Sequence, residues 1–264
     1  MELRLVQVDA FADRPFTGNP AAVMPLDAWL PDETLQAIAE ENNLSETAFT
    51  VPDATGEADY ELRWFTPATE VVLCGHATLA SGHVLIESAR EPGRIRFRTR
   101  RAGGLEVARD GGAYAMSLPC WRPEPRPMPS ILAALGLAQD AETLWHPHRY
   151  GLVVLETEEE VRALAPDFKA LAAQGDLLTI VTAPGRETDV VSRVFAAGAG
   201  IDEDPVTGSA HCVLTPYWAE RLGRDSFSAF QASARGGHVA CRLDGERVIL
   251  GGRCVTIIEG VMRL

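Results

Sequence analysis

The 264-residue sequence predicts an α+β chain built as two similar halves, residues 1–116 and 117–264, with mostly antiparallel, hairpin-linked strands. Three observations predict it. A segment opening at Arg63, "RWFTPATEVVLCGHATLASGHV", is echoed by one opening at Arg193, "RVFAAGAGIDEDPVTGSAHCVLTPYW". Both begin Arg-x-Phe, and both place a Glu five residues before a Gly: Glu70 before Gly75, Glu203 before Gly208. Each half also strings short alternating strands between Gly turns around a few helical patterns. No G-x-G-x-x-G follows a strand, which argues against a dinucleotide-binding βαβ sheet.

The elements follow in order. "LRLVQVDAF" alternates as a strand, and "DETLQAIAEENN" reads as an amphipathic helix opening at an acidic N-cap. "ETAFTV" and "YELRWF" are strands, then a helix begins at Gly75. "RIRFRTR", "LEVAR" and "YAMSL" are alternating strands split by Gly pairs. "CWRPEPRPMPS", from Cys120 to Ser130, is Pro-rich and reads as an extended linker. The second half supplies "YGLVVLE", one helix through "EEVRALAPDFKAL", then "LLTIVTAP" and "VVSRVFA". A helix beginning at Gly208 follows, and "HVACRL", "RVILGG" and "CVTIIEG" close the chain as strands.

Composition narrows the function. A net charge of −13 argues against a nucleic-acid partner, whose phosphates call for clustered Lys and Arg. There is no run of 18 apolar residues, so no membrane span is expected. "MELRLVQVDAF" lacks the basic start and apolar stretch of a signal peptide. The five cysteines, Cys74, Cys120, Cys212, Cys241 and Cys254, form no C-x-x-C pair and read as free thiols in a reducing cytosol. A cytoplasmic protein is the expectation.

The two Gly-initiated helices carry the functional argument. The first turn of a helix presents unpaired N–H groups and partial positive charge, which suits a carboxylate or phosphate. Gly75 and Gly208 would let such a ligand approach the backbone closely, with His76 and Ser209 next in line. If the halves are related by a two-fold, both helix starts face one cleft and grip one small acid. A Gly that merely eases a strand-to-helix turn is the simpler alternative for either helix taken alone.

Several side chains could act on a bound acid. Glu46 in "NNLSETAF" opens an apolar strand, where burial would raise its pKa toward neutrality for proton transfer. His76 at a helix start is expected to have a lowered pKa and to be neutral. Asp204 in "DEDPVTGS" could shuttle protons, and the Ser209 hydroxyl could hold a carboxylate or carbonyl. Asn19 in "FTGNPAAV" could place its amide over the cleft. Cys74, ending an apolar run, is either an inert buried thiol or a thiolate activated by the helix. A metal bound by His76, His83 and His211 lacks any H-x-x-x-H spacing, and none is expected.

Taken together, "VDAFADRPFTGNPAAV", "NLSETAF", "RWFTPATEVVLCGHATLA" and "GIDEDPVTGSAHC" resemble the phenazine biosynthesis PhzF-like family along almost the whole chain. The resemblance implies a diaminopimelate epimerase-like fold: two pseudo-symmetric domains, each a curved, mostly antiparallel open barrel around a central helix, with the active site between them. It implies a cofactor-independent isomerase that moves a proton between carbons of a small unsaturated or amino carboxylic acid. Glu46 would be the acid/base, with His76, Asp204 and Ser209 assisting. Asn19 and the Gly75, His76, Gly208 and Ser209 positions would bind the small carboxylate substrate, and a homodimer is expected. Relatives that racemise use two Cys; here Asp204 and Pro205 stand before "VTGS" at the second position, which favours carboxylate chemistry. A non-catalytic carboxylate binder and a Cys74-dependent epimerase or hydrolase are the alternatives.

Overall fold

The computed structural model describes residues 1–88 and 93–264, which divide into a first unit, Met1–Leu118 with Leu250–Leu264, and a second, Pro119–Ile249. The first unit runs β1 (Glu2–Ala10), β2 (Asn19–Pro25), α1 (Asp32–Asn42), β3 (Glu46–Pro52), β4 (Tyr60–Phe65), β5 (Glu70–Val71), α2 (Gly75–Ser88), β6 (Arg94–Thr99), β7 (Gly104–Asp110) and β8 (Ala113–Pro119). The second runs β9 (Glu124–Pro125), α3 (Pro129–Ala134), β10 (Glu142–His146), β11 (Tyr150–Val154), α4 (Glu158–Ala163), α5 (Phe168–Ala172), β12 (Leu178–Pro184), β13 (Val190–Ala196), β14 (Ile201–Asp204), α6 (Gly208–Leu222), β15 (Ser226–Gln231) and β16 (Gly237–Asp244). β17 (Arg247–Gly252) then leads to β18 (Cys254–Arg263), which pairs antiparallel with β1. The last strand, which a division at 117–264 keeps with the second half, thus lies in the first unit.

Strand pairing shows the duplication directly. In the first unit β1–β2 is antiparallel, β2–β3 parallel, β3–β4 antiparallel, β4–β6 parallel and β6–β7 antiparallel. In the second, β10–β11, β11–β12, β12–β13, β13–β15 and β15–β16 repeat the same sequence of directions. A parallel pair needs a crossover longer than a hairpin. The crossovers carry α1 and α2 in one unit, and α4 with α5, then α6, in the other.

The two long crossover helices are buried on all sides. α2 buries eleven residues, His76 and Leu79 among them, and packs on β1, β2, β3, β6 and β7. α6 also buries eleven residues, Gly208 and Ala210 through Ala219, and leaves Ser209 half-buried. A helix apolar around its whole circumference belongs inside a core. α1 instead packs one face, Leu35, Ile38 and Ala39, beside Phe49 and Phe65.

The repeated Arg and Glu are partners. Arg63 on β4 forks onto Glu70 on β5 at 2.7 and 2.8 Å and lies 4.9 Å above the Phe65 ring. Arg193 on β13 forks onto Glu203 on β14 at 2.7 and 2.9 Å, 5.0 Å above Phe195. Such planar forks are the strong form of the charged hydrogen bond. Each staples the strand leading into its buried helix.

Three expectations differ in detail. α1 has Pro31 at its cap, and Asp32 and Glu33 lie inside the first turn, where Asp32 accepts from Arg63 at 2.8 Å. "EEVRALAPDFKAL" is two short helices, because Pro166 restricts Ala165 and cannot donate. The freed carbonyls of Val161 and Leu164 accept from the Arg193 guanidinium. The Pro-rich segment gives β9, which pairs with β10, and starts α3 with Pro129.

Candidate active site

Three elements of the first unit deliver three side chains to one place. β2 begins with Asn19 just after Gly18, whose φ of +66° and 2.2 Å approach of a hypothetical Cβ to the Ala10 carbonyl oxygen admit glycine alone. β3 begins with Glu46. The turn before it is set by Asn43 in the left-handed region, its N–H bonded to the Ala39 carbonyl, and by Asn42 Nδ2 donating to Thr47 Oγ1 at 3.0 Å. α2 begins with Gly75 and His76, anchored by Thr78, whose hydroxyl donates to the Cys74 carbonyl at 2.6 Å.

The His76 imidazole sits at the centre. Its Nε2 lies 3.1 Å from Glu46 Oε2. Its Nδ1 lies 3.1 Å from Asn19 Nδ2 and 3.5 Å from Cys74 Sγ. Asn19 is fully buried, and the His76 and Glu46 side chains are 4% and 14% exposed. When the ring is neutral, Nδ1 accepts from Asn19 and the proton sits on Nε2, toward Glu46; when the ring is charged, both nitrogens carry a proton. The Nε2–Oε2 approach is within hydrogen-bond reach and at ion-pair distance.

Electrostatics correct one expectation. His76 is not lowered: burial alone would lower it, but the Cys74 sulfur and the Glu46 carboxylate outweigh burial and hold its pKa well above the usual value. A full negative charge at contact exceeds the partial charge of a helix end. Burial pushes the Cys74 thiol up to about 11, and the Glu46 charge adds to it. Cys74 therefore keeps its proton at neutral pH, and its sulfur faces the Nδ1 side of the charged ring as a buried thiol rather than as an activated thiolate.

Glu46, Cys74 and His76 bring potential metal-ligand atoms within 4.8 Å of one another. The nearest contacts, however, approach the ring at opposite nitrogens, Cys74 at Nδ1 and Glu46 at Nε2. The arrangement suits proton transfer along the ring better than one shared ion. His83 is occupied elsewhere, between Tyr114 and Thr256 at 2.9 and 2.8 Å. His211 gives its Nδ1 proton to the Thr207 carbonyl, and burial lowers its pKa to about 4.

Asp204, Gly208 and Ser209 belong to the second unit, at the end of β14 and the start of α6. Asp204 accepts from the Thr207 hydroxyl, and Gln231, fully buried on β15, bonds to both residues. Sequence reading missed Gln231, since nothing near position 231 marks a long-range contact. It also missed the Arg–Glu forks, although their equal placement in the two copies was the available signal.

Comparison with known proteins gives a consistent picture. A family model described as "Phenazine biosynthesis-like protein" matches residues 8–260. The chain is 53% identical to an uncharacterized isomerase of Pseudomonas aeruginosa over all of both chains. It is 36% identical to the human phenazine biosynthesis-like domain-containing protein, covering 99% of each. Among solved structures, a PhzF-family protein of Enterococcus faecalis matches with a TM-score of 0.92 and 44% identity over all of both chains. A predicted epimerase of Pseudomonas aeruginosa shares the fold at 21% identity, with a TM-score of 0.77 over 98% of this chain and 99% of that one. Four motifs in order, a duplicated α+β topology and these matches lead to one conclusion: the chain belongs to the phenazine biosynthesis-like, PhzC-PhzF, family.

Proposed function

We propose that the protein is an isomerase that moves a proton between carbons of a small unsaturated or amino carboxylic acid, without a cofactor, and that Glu46 is its acid/base. The observation that carries this reading is the Glu46–His76 pair. The Glu46 carboxyl, partly buried, and the buried His76 imidazole face one another at 3.1 Å at the start of α2, within reach of proton transfer. Two titratable groups held at hydrogen-bond reach of one another are the geometry that general acid–base catalysis requires. The "isomerase" in the name of the 53% identical relative supports the reaction class.

In this mechanism Glu46 takes a proton from a carbon next to an unsaturated carboxylate and returns it at another carbon. The His76 charge holds the carboxylate ready, and its Nε2 can relay the proton. Backbone N–H groups at Gly75 and His76 stabilise negative charge on the acid. Asp204, Gly208 and Ser209 are assigned assisting roles on the strength of their motif. Acid/base help of this kind is worth about 10²–10⁴-fold. A homodimer in the cytoplasm completes the proposal; β18 exposes Ile258 and Val261, and all five cysteines are free.

The test is incubation with a panel of small unsaturated and amino acids in D₂O, read by NMR. Deuterium should enter carbon in at least one acid, and Glu46→Gln should lower the rate at least a hundredfold while ligand binding persists. Binding without exchange would favour the carboxylate-binder alternative, and full activity in Glu46→Gln would sink the assignment. Sedimentation velocity reads the dimer.

A further inference from the structure

Gln231 has no solvent exposure and commits its whole amide to one turn. Its Oε1 accepts the Thr207 backbone N–H at 2.8 Å. Its Nε2 donates to the Asp204 carbonyl oxygen at 2.7 Å and to Thr207 Oγ1 at 3.2 Å. A primary amide offers one acceptor oxygen and two N–H donors, so these partners use both kinds and fix which way the amide faces. Strand register explains the reach: Gln231 is the last residue of β15 and pairs with Ser192 in the parallel ladder to β13. β13 also carries Val194, the partner of Asp204.

The direction of the hydroxyl proton follows. Thr207 Oγ1 accepts from Gln231 and has one proton, which goes to Asp204 Oδ2. The chain runs one way, from amide N–H through hydroxyl to carboxylate, and each bond polarises the next. The N-cap hydroxyl of a helix commonly bonds its own first turn. Thr207 occupies the cap of α6 yet makes no such bond. Its hydroxyl is turned onto Asp204 instead. Ser233 donates to the Pro205 carbonyl at 2.7 Å and holds the other side of the turn. The neighbouring Glu203 is forked onto Arg193, so its charge is already matched.

We infer that Gln231 and Thr207 are positioning residues for Asp204: their directed donor chain fixes the carboxylate's rotamer and keeps it in the ionised, proton-accepting form beside the start of α6. The inference rests on the proposed function for the use of Asp204, but not for the chain itself.

The test is a ¹³C titration of the full-length protein labelled at aspartate carboxyls, with the Asp204 signal assigned by its absence in Asp204→Asn. Thr207→Val keeps shape and loses the hydroxyl; Thr207→Ser keeps the hydroxyl. A charge-assisted donor lost from a carboxylate should raise the Asp204 midpoint by about one pH unit in Thr207→Val. Thr207→Ser should titrate like the parent. Gln231→Met, folded by circular dichroism, should shift the midpoint the same way, and serves if Thr207→Val does not fold. A purely structural role predicts that the Val and Ser variants titrate together, and that outcome overturns the inference. Deuterium exchange separates the two ideas. If Thr207→Val shifts the midpoint while Asp204→Asn exchanges like the parent, the positioning stands and the catalytic use of Asp204 falls.

Discussion

Replacing Glu70 by Gln should destabilise the first unit more than replacing Glu203 by Gln destabilises the second, although the two forks have nearly equal lengths. The difference comes from what each arginine keeps. The Arg63 side chain is 1% exposed, and without Glu70 the carboxylate left to it among the described residues is Asp32, itself 64% exposed. Arg193 is 12% exposed and keeps three backbone carbonyls, those of Val161, Arg162 and Leu164. Breaking a buried ion pair costs about 3–5 kcal/mol. Glu70 is partly hydrated at 21% exposure, and a Gln oxygen retains one of the two bonds, so about 2–3 kcal/mol is expected there. For Glu203→Gln about 1 kcal/mol is expected, since Arg193 stays hydrogen-bonded. Urea unfolding gives the totals, and amide exchange on β4 and β13 reads the two units separately. Equal losses, or a loss below about 1 kcal/mol for Glu70→Gln, would refute the reasoning from residual partners.

Two further outcomes follow from the same structure. Hydrogen bonds from Arg63 hold both Glu70 and Asp32 below their usual pKa values. Groups depressed in the folded state contribute stability that is present above about pH 4.5 and lost as pH falls through their lowered values. The urea midpoint should therefore drop between pH 5 and pH 3, and the drop should be shallower in Glu70→Gln. Gly18→Ala combines a left-handed φ with a 2.2 Å clash and should cost more than about 2 kcal/mol and disturb Asn19, whereas Gly56→Ala, equally left-handed but unobstructed, should cost about 1 kcal/mol. Similar melting temperatures for the two glycine variants would count against this.

What the sequence made legible was mostly local. Alternation marked nearly every long strand, and the repeat marked both buried helices, because burial of a whole helix leaves an unbroken small and apolar stretch. Glu46 and His76 were visible as polar residues at element starts, whereas Asn19 read as part of a turn and the strand β2 that it opens was not anticipated. What these residues do to one another was not visible. The raised pKa of His76 depends on a carboxylate thirty positions away, brought in by the parallel register of β2 and β3, which no local pattern encodes. Gln231 was invisible for the same reason. The break between α4 and α5 was written in Pro166, but the apolar spacing on either side of it reads as continuous.

The pairing of β18 with β1 joins residues 261 positions apart, Glu2 with Arg263. A ribosome releases about 5–20 residues each second, amino end first. The second unit is one uninterrupted run and is complete once residue 249 has emerged. The first unit began earlier yet finishes later, because one flank of β1 stays unzipped until β18 arrives. In this molecule the unit whose synthesis starts first is sealed last, and a ribosome that stalls before β18 leaves β1 with an open strand edge.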